Sequence, residues 1–230
     1  MNEFFASMSF FGLFLSLLTY MIGLAIKKKF KSGLANPLLI AIILTIAFLL
    51  VGKIDYETYN AGAKYLTYLL TPSTICLALP LYQQIEKLKK NFAAIFAGIL
   101  SGTLASMTSV LLLSKILGFT KTEYITFLPK SITSAIGLGV SEELGGYPSI
   151  TVAVIILTGV LGNILCEPIL KLTGIRHSIA KGVGIGTSSH AVGTAKAIEI
   201  GEVEGAISSL SIVVAGLLTV LLANLFVSFY

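Results

Sequence analysis

Charge is scarce in this chain. Only 12% of its 230 residues are Asp, Glu, Lys or Arg, against 55% hydrophobic. A soluble domain burying that much apolar surface would still need a charged shell, so an ordinary soluble globule is excluded. Cysteine is scarce too. Cys76 and Cys166 both fall in apolar stretches, and neither has a partner at metal-ligand spacing, so they read as small packing residues rather than a disulfide or ligands. No metal and no cofactor is expected. Soluble-enzyme motifs are missing. "GVGIGTSS", residues 182–189, mimics a phosphate loop but lacks the following Gly-Lys-Ser/Thr. "SSH" places serine beside histidine, a poor geometry for a nucleophile and its base, with no acid evident, so no enzyme is expected. Basic residues are absent ahead of the first apolar run, where Met1, Asn2 and Glu3 stand, which argues against a cleaved signal peptide. The formal charge of +5 sits in short loops, where membrane orientation and lipid head groups account for it, and it calls for no nucleic-acid partner.

What the chain does have is long apolar runs. "FFASMSFFGLFLSLLTYMIGLAI" fills residues 4–26, and about 20 such residues cross a bilayer core. The runs do not alternate apolar and polar residues, so they predict helices, not a barrel. The fold class is therefore an all-α polytopic membrane protein, with about seven spanning helices in one integral membrane domain over residues 1–230. Residues 1–35 form a first span and basic loop, and 36–123 a first helical unit. Residues 124–165 and 175–228 form repeated units, each a broken segment plus a span. Within the first unit, "NPLLIAIILTIAFLLVG" is short for a span, and residues 65–82 are interrupted by Pro72 and Pro80. Residues 92–113 are a clean span with small residues on its faces, suited to close packing.

Lysine placement sets an expected topology. Lys27, Lys28, Lys29 and Lys31 belong in the cytoplasm by the positive-inside rule, with the N-terminus outside. Alternation then puts residues 114–123 outside, while the basic loop at 171–181 belongs inside. One crossing, residues 147–165, separates them, so residues 124–146 should enter and leave on one side. There is also a weak internal repeat. Residues 129–151 align without a gap on 189–211, pairing Lys130 with His190, Ser134 with Thr194, Ala135 with Ala195, Glu142 with Glu202 and Gly145 with Gly205. Paired interrupted segments at corresponding places point to a transporter binding site.

A broken helix in a membrane exposes backbone N–H groups that lipid cannot satisfy, and its N-terminal end suits an anion. "GTSSHAVGT", residues 186–194, has glycines for an unwound turn and hydroxyls, Ser188, Ser189 and Thr194, to cap or donate. Lys130 and His190 add a cation and a titratable group, and a carboxylate is the natural guest. Blander readings stand beside this one. Ser and Thr in membrane helices often bond only their own backbone, Lys130 could snorkel to an interface, and His190 could lie near the surface. His177, next to Arg176 in a basic loop, reads as solvated. Glu142, Glu143, Glu167, Glu199 and Glu202 lie at the edges of apolar segments, where they are proton-relay candidates or plain loop residues.

"PKSITSAIGLGVSEELGG" followed by "GTSSHAVGTAKA" resembles the LrgB/CidB family of bacterial membrane proteins, over nearly the whole chain. The resemblance implies a multi-pass protein of the bacterial cytoplasmic (inner) membrane, working beside an LrgA/CidA-like membrane partner. It implies one of two activities. One is transport of a small monocarboxylate such as pyruvate or glycolate; the other is holin/antiholin-like control of murein hydrolase export and cell lysis. A homo-oligomer is expected. The family motifs fall on Pro129, Lys130, Ser131, Thr133 and Ser134, and on Gly186, Thr187, Ser189, His190, Gly193, Thr194 and Lys196. With Ser188, the polar members of these motifs and Gly193 are the expected substrate contacts. Ala135 stands where the resemblance leads one to look for a proline.

Overall fold

The structure, a computed structural model, describes the backbone of residues 5, 8–30 and 36–230, and the side chains of all these but 70, 71, 74, 77, 80 and 81. Lys31, Met1, Asn2 and Glu3, and residues 4, 6 and 7 of the first apolar run, lie outside the described residues. Every regular element described is helical. Among the described residues four helices are long and apolar enough to cross a membrane: Phe11–Phe30, Phe92–Leu117, Pro148–Leu172 and Glu202–Ser228.

The chain divides into two compact units, Met1–Cys76 and Leu77–Tyr230. In the first, α1 (Phe11–Phe30), α2 (Pro37–Gly52) and α3 (Tyr56–Ala63) are followed by a 3-10 turn over Lys64–Leu69 and by α4 (Leu70–Gln83), which runs on past the boundary. Asn36 caps α2 by accepting from the amides of Leu38 and Leu39 at 2.9 and 3.1 Å, with Pro37 in the first turn, where its missing N–H costs nothing. At 16 residues α2 rises about 24 Å, short of a bilayer core of about 30 Å. The expected break at Pro72 falls earlier, where the 3-10 turn meets α4. Pro72 is the third residue of that helix, so its ring removes an N–H that would have had no helical partner.

The second unit continues with α5 (Ile85–Lys90), α6 (Phe92–Leu117), α7 (Lys121–Phe127), α8 (Ser134–Leu144), α9 (Pro148–Leu172), α10 (Ser178–Ile200) and α11 (Glu202–Ser228). Thr120 and Glu123 form a capping box that starts α7, and these hydrogen bonds hold the Glu123 carboxyl below the usual carboxylate range.

α10 is two arms. His190 has φ 41° and ψ −138°, outside any helix. Contacts with α11 show what happens there. A Cβ on Gly182 would meet Ile207 and the Glu204 carbonyl, and one on Gly186 would meet Ser208 and Ser211, so the contact climbs α11. Past His190, Thr194 bonds the Ser208 hydroxyl at 2.6 Å and Ile198 packs on Gly205, so the contact descends again. The chain reverses at His190, and residues 178–200 are a helical hairpin.

Residues 121–144 make a second hairpin by the same test. On the outgoing arm, Thr126 accepts from the amide of Tyr147 at 2.9 Å and its carbonyl accepts from the Thr151 hydroxyl at 2.9 Å. Residues 128–133 turn, with the Pro129 carbonyl beside Gly137. On the return, Gly137 packs against the Ile155 side chain and the Ser141 hydroxyl is hydrogen-bonded with that of Thr151 at 2.7 Å. Gly145, at φ 84°, ends α8 in the left-handed region that glycine enters without a Cβ penalty. Lys130 lies in the turn of one hairpin and His190 at the turn of the other, the two positions that the internal repeat pairs.

Candidate functional site at the hairpin turns

α6 presents small residues, Gly102, Ala105, Ser106 and Ser109, along one face. That face, the first hairpin turn and the outgoing arm of the second border an open hollow of about 440 Å³, lined also by Lys130, Ser131, Gly184, Thr187 and Ser188. Lys130 Nζ donates to Ser131 Oγ at 3.1 Å and to Ser106 Oγ at 3.4 Å, and the two serine oxygens are 2.9 Å apart. The lining of the hollow contains no carboxylate. A half-buried ammonium served only by hydroxyl dipoles is under-compensated. An anion about 4 Å away would gain on the order of 4 kcal/mol at an effective dielectric of about 20.

Of the eleven expected contacts, Lys130, Ser131, Thr187 and Ser188 share this hollow. Thr187 and Ser188 already donate to their own helix, to Val183 O at 2.6 Å and Gly184 O at 2.7 Å, so they offer a guest lone pairs rather than protons. The donors facing the hollow are Lys130 and whichever of Ser106 and Ser131 does not spend its proton on the bond between them. Ser106 escaped the sequence reading, which took the small residues of 92–113 for packing alone. The spacing of Gly102, Ser106 and Ser109, at i, i+4 and i+7, was the signal of a polar face.

The remaining residues lie elsewhere. His190 is 4% exposed, and its Nε2 is 2.9 Å from the Ile155 carbonyl. A carbonyl only accepts, so the ring carries its proton on Nε2 and donates it. The ring rests on Gly159, where a Cβ would fall 2.6 Å from Cε1. Ser189 sits on Gly162, and Gly193 sits on Ser189. Thr194 bonds both the His190 carbonyl, at 3.0 Å, and Ser208, while Asn163 donates to Val192 O at 2.8 Å. Together these residues pin the second turn to α9 and α11. The backbone of His190, strained at positive φ by roughly 1–3 kcal/mol, is held by that surround. Thr133 is the N-cap of α8 and Ser134 its first residue, and neither lines the hollow. Lys196 is paired with Glu167 at 2.8 Å and Glu199 at 3.1 Å, which ties the return arm to α9. What meets the first turn around the hollow is thus the outgoing arm of the second hairpin, because its own tip is anchored on α9.

Comparison with known proteins bears out the family resemblance of the sequence. The model of the LrgB-like family matches residues 16–229. Antiholin-like protein LrgB of Bacillus mycoides (strain KBAB4), of Bacillus cereus (strain B4264) and of Bacillus anthracis (strain CDC 684 / NRRL 3495) are each 39% identical over 221 residues, 96% of this chain and 96% of theirs. No solved structure matches.

Proposed function

Since the chain belongs to the LrgB-like family, we propose that it is a transporter of small monocarboxylates, pyruvate, glycolate or a similar acid, in the bacterial cytoplasmic membrane, working with an LrgA/CidA-like membrane partner. The observation that carries this reading is Lys130, an ammonium facing a hollow with hydroxyl partners and no carboxylate. A monocarboxylate supplies the missing charge, and Ser106 and Ser131 orient it.

We read six crossings, against the about seven expected, and two hairpins that enter and leave on one side. The crossings are α1, α2, residues 64–83, α6, α9 and α11. Contacts within the second unit agree with the charge rule. Lys115, at the end of α6, donates to Phe229 O at 2.8 Å, and Tyr124 donates to Phe226 O at 3.1 Å, so the ends of α6 and α11 and the start of the first hairpin share one side. Leu88 and Ile95 cluster with Ile179, Val183, Val203 and Ile207 on the other, next to the lysines of α5. The two hairpins then open to opposite sides, an inverted pair. Single cysteines at positions 28 and 174 should resist an impermeant thiol reagent in intact cells, and one at position 118 should react. Ready labelling at 174 would overturn the one-sided first hairpin.

A second reading, an antiholin-like regulator of murein hydrolase export and lysis that self-associates into a homo-oligomer, rests on the names of the relatives. Uptake of labelled pyruvate, glycolate and lactate into proteoliposomes, with and without the partner, separates the two. Saturable uptake supports the transporter. Its absence under both conditions, with altered hydrolase export in cells, would leave the regulator.

A further inference from the structure

Four buried threonines inside the helices turn their hydroxyls onto the carbonyl one turn back, and another, Thr151, donates to the Thr126 carbonyl. Thr19 donates to Leu15 O at 2.9 Å, Thr187 to Val183 O at 2.6 Å, Thr194 to His190 O at 3.0 Å and Thr219 to Ala215 O at 2.8 Å. Thr103, on α6, does not. It is 3% exposed, and its Oγ1 has no hydrogen-bond partner among the described residues. A buried hydroxyl without a partner costs about 1–3 kcal/mol, so in native proteins such a group normally finds one.

Thr103 lines a small space of about 10 Å³ next to the hollow, shared with Ser106, Ser131, Thr187 and Thr219. That volume holds about one water, and a water needs two to four polar partners. The partners are present. Thr187 and Thr219 have spent their protons on their own helices and offer lone pairs, while Thr103 has a free proton. An anion is disfavoured, because the space is lined by no charged side chain. A cation is disfavoured too, because the Lys130 ammonium lies behind Ser106 and Ser131.

We propose that this space is the site of one structural water, which accepts from Thr103 and donates to Thr187 and Thr219. The water joins α6, the outgoing arm of the second hairpin and α11 at one hydrogen-bonded node beside the first hairpin turn. It belongs to the fold whether or not the hollow carries a carboxylate, so its test is separate from transport.

The test turns on a sign. If Thr103 holds a water, Thr103→Val removes a donor from a satisfied node, and Tm of the purified protein should fall by about 2–8 °C. Thr103→Ser keeps the hydroxyl and should lie above Thr103→Val. If the space is dry, deleting an orphaned hydroxyl for an isosteric methyl is neutral or stabilising, and a Tm for Thr103→Val equal to or above the parent's would overturn the proposal. Should Thr103→Val not fold, a map of the unaltered protein that resolves ordered water between its helices decides instead. Density bonded to Thr103 Oγ1 supports the site, and none there overturns it.

Discussion

Lys130→Met should abolish saturable carboxylate uptake while the protein stays folded. The substitution keeps the aliphatic stem and deletes the charge. A hydrogen bond to a charged group contributes about 1.5–3 kcal/mol, roughly ten- to a hundredfold in affinity, and the long-range attraction of the ammonium is lost with it. Lys130 has hydroxyls for partners, so its removal leaves no carboxylate stranded. Tm of the variant should therefore match or exceed the parent's. Ser106→Ala and Ser131→Ala should each weaken apparent affinity by about three- to tenfold, the loss of one ordinary hydrogen bond. Lys171→Met is the control, since that side chain is 81% exposed and paired only at 3.9 Å with Glu167. The measurement is uptake at matched membrane abundance. Full uptake by Lys130→Met would remove the anion site and return the residue to a snorkelling role.

Gly162→Ala should damage the fold more than any comparable methyl added elsewhere on α9. A Cβ there would overlap Ser189 Oγ and lie 2.5 Å from Ser189 Cβ, so no rotation of the serine makes room. Either the second hairpin turn lifts off α9 or the helices part. Lifting the turn also breaks the His190 bond to Ile155 O and the Asn163 bond to Val192 O. The expected loss is about 3 kcal/mol or more, a Tm drop of roughly 6–12 °C for a chain of this size. The partner change Ser189→Gly, in the same chain, should recover most of it despite the cost of a further glycine, about 1 kcal/mol. Gly139→Ala is the control, for nothing stands within 4 Å of its added Cβ, and it should be neutral or slightly stabilising. Equal Tm for Gly162→Ala and Gly139→Ala would show that the second turn is not docked on α9.

Much of this was legible in the chain itself. Apolar run length and the absence of alternation determined helices, and four described helices have the length and apolarity to cross a membrane. The ungapped repeat pairs Lys130, in the first turn, with His190, at the second, and glycines and hydroxyls recur in both segments. The motif residues were enough to identify the family. Helix ends were less exact: the second break falls at His190 itself, so Thr187, Ser188 and Ser189 end the outgoing arm instead of opening the next helix.

Only the tertiary structure decided which polar residues share a space. Lys130 and His190 are equivalent in sequence, yet one faces a hollow and the other is held by a backbone carbonyl of α9. That difference depends on which helix lies opposite each turn. Gly159 and Gly162 let α9 come close enough to the second turn to engulf its ring and serine, whereas α6 meets the first turn with Ser106 and leaves the ammonium a cavity. Periodicity along one segment records which of its faces is polar. It cannot record the partner across the gap, because that contact joins residues far apart in the chain, and whether a polar group ends up satisfied or facing a guest is settled by that contact alone.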